Sequence, residues 1–128
     1  MALSIQNPRE SVSFTIASGV SASSGIDLMG YRVAAIDVSS GWDAANRMTF
    51  RVSKDGTSYH DLYDDAGNPY QIASSTGIAS STGRSVVPNS ALALALMSHR
   101  YLKIQSGPST ALANLTTSVS IDLILVPF

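Results

Sequence analysis

Along much of this chain every second residue is apolar, and turn-forming residues interrupt the pattern before any stretch grows long. Successive side chains of a β-strand point to opposite faces, so this period of two predicts strands with one buried face. Residues 11–16 set Val12, Phe14 and Ile16 on one face and Ser11, Ser13 and Thr15 on the other. Residues 48–53 turn Met48, Phe50 and Val52 inward, and residues 117–126 do the same with Val119, Ile121, Leu123 and Leu125. Residues 31–38 and 101–105 are further β-rich runs.

The punctuation supports the same fold class. Asp55-Gly56 supplies the positive φ angles of a tight hairpin, joining the strand at 48–53 to another at 59–63. A second turn over 64–69 leads into residues 70–73, which predicts three successive antiparallel strands. Residues 19–25 read as a small-residue loop, residues 39–46 as a loop or single helical turn, and the Ser/Thr/Gly-rich residues 74–85 as a long surface loop. Residues 89–97 alternate Ala and Leu; the period says strand and the propensity says helix, and a short helical turn within a connection is expected. About eight short strands without an amphipathic helix predict an all-β fold, an antiparallel β-sandwich or jelly roll, as a single domain over residues 1–128.

A chain of 128 residues buries a core without staples, and with 0 Cys it has none of the thiol kind. The opening residues lack a basic segment followed by an apolar run, and the longest apolar stretch, near residues 91–97, is too short for a bilayer, so neither a cleaved signal nor a membrane span is expected. Synthesis in a cytoplasm fits. Nucleic-acid binding requires a dense basic footprint, whereas the 8 basic residues are scattered singly and the net charge is -1. Charged residues make up only 13% of the chain, a surface suited to packing within an oligomer or larger assembly.

The search for chemistry is largely negative. There is no Gly-x-Ser-x-Gly elbow, no His-Glu-x-x-His, no phosphate-binding glycine loop and no dinucleotide fingerprint, so no catalytic residue and no cofactor is expected. His60 and His99 have no local catalytic support and read as structural or solvated histidines. Asp61, Asp64 and Asp65, with Asn68, offer oxygen ligands of the kind calcium takes, but the spacing lacks the closing Glu of an EF-hand loop; turn formation is the expected role, and no metal. Asn114-Leu115-Thr116 matches a glycosylation sequon that has no secretion signal to support it. Trp42 and Tyr59 could present rings to a sugar, or pack as most aromatics on alternating strands do; packing is the expectation for Trp42.

Taken together, Tyr31-Arg32 opening an apolar strand, Gly41-Trp42-Asp43, Ser53-Lys54-Asp55-Gly56, Tyr59-His60-Asp61-Leu62-Tyr63-Asp64, and residues 100–107 followed by a polar loop and a last apolar strand resemble a group of small virion proteins of tailed bacteriophages. The resemblance covers roughly residues 30–126. The Ser-x-Asp-Gly-x-x-aromatic element is also similar to discoidin-like jelly rolls that bind sugars or lipids. Residues 74–85 and the Ala-Leu alternation after Asn89 depart from the pattern.

The resemblance implies a non-enzymatic particle component located in the virion. One form is a capsid cement or decoration protein, a homotrimer at threefold positions bound to the outer surface of the major capsid protein. The alternative is a glycan-binding adhesive module of a tail, baseplate or head fibre, acting through Trp42 and neighbouring tyrosines such as Tyr59. Residues 1–10, with Leu3, Ile5 and Pro8, form either a capsid-docking arm or a frayed end.

Overall fold

Apolar residues at every second position of the last strand set up the core. In a computed structural model, which describes residues 9–43, 46–73, 78–107 and 111–127, β9 (Val119–Pro127) buries Val119, Ile121, Leu123 and Leu125 completely. It lies between β1 (Glu10–Ile16) and β3 (Tyr31–Val38), antiparallel to both. The outer neighbour of β3 is β7 (Arg84–Val86), giving a first sheet of order β1-β9-β3-β7.

The second sheet runs β2-β8-β4-β5, built from β2 (Ile26–Asp27), β8 (Tyr101–Ser106), β4 (Met48–Ser53) and β5 (His60–Asp61). Its inward side chains include Leu102, Ile104, Phe50, Val52 and Met48, which join Ile16, Ile36, Val38 and the β9 residues in one hydrophobic core. The fold is therefore an all-β sandwich of two antiparallel sheets. Apart from the β4 to β6 stretch, each connection carries the chain from one sheet to the other.

The predicted three-stranded succession is corrected. The strand after β5, β6 (Gln71–Ile72), pairs with β4 and not with β5. The cause is local: Tyr70 N–H donates to Leu62 O at 3.0 Å and Asp64 N–H to Asn68 O at 2.8 Å, closing residues 62–70 on themselves. The chain then returns to the edge of β4 it had left, with β5 opposite Arg51 and Val52 and β6 opposite Met48 and Thr49.

The loop predicted over residues 74–85 is corrected as well. Residues 74–77 fall outside the described residues, but Ile78 is fully buried and Arg84 and Ser85 belong to β7, paired with Val38 and Asp37. A three-residue edge strand with two exposed members shows no alternation to read. Two-residue β2 escaped for the same reason.

The Ala-Leu segment forms α1 (Ser90–Leu96), seven residues with Leu92 and Leu96 buried one turn apart. The Asn89 side chain accepts from Leu92 N–H at 2.9 Å, so a side-chain cap starts the helix where alternation alone suggested a strand. Among the described residues no helix is long and apolar enough to cross a membrane.

Candidate functional site

Outward residues of the second sheet gather charged and aromatic side chains on one face. The parity that buries Leu102 and Ile104 turns Tyr101 and Lys103 outward, and the parity that buries Phe50 and Val52 does the same for Arg51. The pairings Arg51 with Lys103, Arg51 with Asp61, and Asp27 with Tyr101 then bring β2, β8, β4 and β5 into one patch.

The loop from β4 to β5 fixes Tyr59 over this patch. Ser53 Oγ donates to Asp55 Oδ1 at 2.9 Å and accepts from Gly56 N–H at 2.9 Å. The same Asp55 Oδ1 also accepts from Thr57 N–H at 2.9 Å and Ser58 N–H at 3.0 Å. These donors hold the Asp55 carboxyl down to about 2. Gly56 has φ +78°, and a Cβ there would stand 3.2 Å from the Tyr101 ring. The Ser-x-Asp-Gly element is thus a self-capped loop resting on an aromatic ring.

Beyond it, the Tyr59 carbonyl accepts from the Arg51 guanidinium at 2.9 Å, and Lys103 Nζ stands 4.5 Å from the centroid of the Tyr59 ring. The phenol oxygen of Tyr59 reaches Gly25, where any side chain would collide with it. Partial burial, followed by nearby Tyr101, Asp55 and Asp27, pushes the Tyr59 phenol above its ordinary range. Arg51 Nε also lies 3.3 Å from Asp61 Oδ1, a charge contact without hydrogen-bond alignment.

Next to this group, Arg100 grips Asp27 with two bonds of 2.9 Å, and the pairing lowers the Asp27 carboxyl. Asp27 Oδ1 also accepts from Met29 N–H at 2.9 Å. A groove of ≈ 490 Å³ opens beside this pair, lined in part by Met29, Tyr31, Met97 and His99. A second depression, of ≈ 410 Å³, lies on the outer face of the first sheet, where Asp37 and Asp122 stand opposite each other and Asp37 Oδ1 is buried without a partner.

His99 Nδ1 lies 2.7 Å from Ser98 Oγ, the one serine and histidine contact among the described hydrogen bonds. Ser98 Oγ donates its single proton to Ala95 O at 2.6 Å, so His99 must be the donor in the shared contact. A histidine donating to a hydroxyl does not activate it as a nucleophile.

The candidates from sequence separate clearly. Trp42 is 4% exposed and its ring N–H donates to Asn46 O at 2.8 Å, so it is a core residue and not an open stacking platform. Tyr59 is half-buried, with Lys103 over its ring. The structure does not bring the two together in the Tyr59 patch. Asp64 Oδ1 accepts from Ala66 and Asn68 N–H groups at 3.0 and 2.8 Å, Asp61 faces Arg51, and Asp65 is exposed. No group of three metal-ligating side chains occurs among the described residues. Leu3, Ile5 and Pro8 lie outside the described residues.

Lys103 and Arg51 were missed, although the inward assignment of Met48, Phe50 and Val52 already placed Arg51 outward. Asp27 carried no such signal, because its partner Arg100 is distant in sequence. No protein-family model, curated protein or solved structure matches the chain.

Proposed function

We propose that the chain is a cement protein of a tailed-phage particle, set as trimers on the outer surface of the major capsid protein at threefold positions. The observation that carries the reading is the sequence pattern over residues 30–126, which resembles small virion proteins of that kind. The strand orders β1-β9-β3-β7 and β2-β8-β4-β5, with the first and last strands adjacent, support reading the sandwich as a jelly roll, an architecture used by viral capsid and lectin domains alike.

Burial of Trp42 favours cement over a glycan-binding adhesive module, since it withdraws the largest ring from any sugar. Sparse charge, 13% of the chain, fits close packing against a shell. Each copy then needs only a modest interface, because many weak contacts repeated on a symmetric lattice sum to a large effect.

Particles made without the protein test this. They are expected to assemble with normal tails and to release DNA at lower temperature or after milder osmotic shock. Particles of unchanged robustness that fail to adsorb to cells would replace the cement reading with the adhesive one, whose surface would then be the Tyr59 and Tyr101 patch.

A further inference from the structure

The edges of the two sheets are unequal. β7 has three residues, and β2, β5 and β6 have two each, so all four present little backbone to another chain. β1 has seven, and among the described residues it pairs only with β9. It contains no Pro, no Lys and no bulge against β9, and its single charge, Glu10, stands at one end. These are among the devices by which natural edge strands avoid pairing, and among the described residues β1 carries only one of them, the core-side charge of Glu10 at its first position.

From this we infer that β1 is a self-association edge, joining a second copy of the chain through an antiparallel β1 to β1 contact about a two-fold axis at Ser13. The occupant is identified by self-complementarity. In that register Ser11 faces Thr15 of the other copy, Ser13 faces Ser13, and Val12 faces Phe14. Hydroxyls therefore meet hydroxyls on the outer face. Val12 and Phe14, both half-buried here, meet each other on the core side. Glu10 faces Ile16, so no like charges oppose one another. Such cross-strand pairs are the favourable unit of sheet stabilisation. The two first sheets would then run on as one of eight strands, and the contact is isologous, using the same surface in both copies.

This inference stands on β1 and not on the proposed particle role. In a shell, a two-fold contact would join neighbouring threefold clusters rather than close one.

The test uses the purified full-length chain in sedimentation equilibrium at low salt. Reversible, concentration-dependent dimers are expected, weak because one strand pair is a small interface. Two double variants read the register. Ser11→Lys with Thr15→Lys sets two like-charge pairs across the axis and is expected to weaken dimerisation roughly 2- to 30-fold. Ser11→Lys with Thr15→Glu sets two opposite-charge pairs and is expected to strengthen it by a similar factor.

Both positions are exposed, and within the chain they face Ile124 and Ser120, so neither variant meets a like charge directly opposite in its own sheet. Thermal melting of each variant at low concentration checks that the fold is kept. A chain that stays monomeric at all concentrations overturns the inference. So does association that both variants leave unchanged. DNA retention by the particle, measured separately, can fail or succeed without altering either outcome.

Discussion

Two turns at neighbouring corners of the sandwich solve the same backbone problem in opposite ways. The loop after β4 reaches positive φ at Gly56 (+78°) and surrounds it with Ser53 and Asp55 side-chain bonds. The turn between β2 and β3 places both Met29 (φ 53°) and Gly30 (φ 81°) in that region, closed by Tyr31 N–H donating to Leu28 O at 2.8 Å. Two successive positive φ angles are the pattern of a type I′ turn, whose first central position normally takes Asn, Asp or Gly. Methionine has no local reason to be there. What holds it is tertiary: Asp27, clamped by Arg100, accepts the Met29 N–H, and Leu28 N–H donates to Arg100 O at 2.8 Å. One turn is written in adjacent residues alone; the other adds to its local Asp27 bond a clamp from Arg100, 73 positions away.

The largest expected effect distinguishes backbone freedom from close approach. Gly56→Ala adds both a left-handed backbone penalty and a Cβ 3.2 Å from the Tyr101 ring, and should destabilise by about 2–3 kcal/mol. Gly30→Ala carries the backbone penalty alone, since nothing lies within 4 Å of its Cβ position, and should lose about 1–2 kcal/mol. Thermal melts of the two variants compare them directly, and equal losses would mean that the Tyr101 ring yields without resistance.

A smaller effect should run the other way. Met29→Asn places a residue that tolerates positive φ at the strained position, while the Met29 side chain is already 56% exposed. A gain of about 0.5–1 kcal/mol in chemical denaturation is expected. A loss instead would show that Met29 makes contacts worth more than its strain.

The last effect is one of slope. The Asp55 carboxyl is depressed from 3.8 to about 2, so its contribution is present above pH 3.8 and is lost as pH falls toward 2. Asp55→Asn should flatten the stability profile across that window while leaving its course near neutrality nearly parallel to the parent. Stability measured from pH 5 to pH 2 reads this, and an unchanged acid slope would remove Asp55 from the account.

These turns also show what could be read in advance. β1, β3, β4, β8 and β9 were visible because each is long enough for alternation to repeat, and the residues assigned inward on β4 and β9 are buried. β2 and β7 were not, because two or three residues contain no period. The self-capped loop around Asp55 was legible as a turn, but the contact of Gly56 with Tyr101 was not. Of the candidate surface, Tyr59 was named from sequence. Its neighbours Arg51 and Lys103 come from two different stretches that only strand pairing unites.

By itself, then, the sequence determined the β character of the chain, the inward face of its long strands and the chemistry of the Ser53-Lys54-Asp55-Gly56 loop. Each follows from interactions between residues a few positions apart. The tertiary structure decided which strands are neighbours, the burial of Trp42 and the clamp on the turn at Met29. Those depend on pairings such as Asp27 with Arg100, in which the energy of a local conformation is set by a partner that the local sequence does not contain.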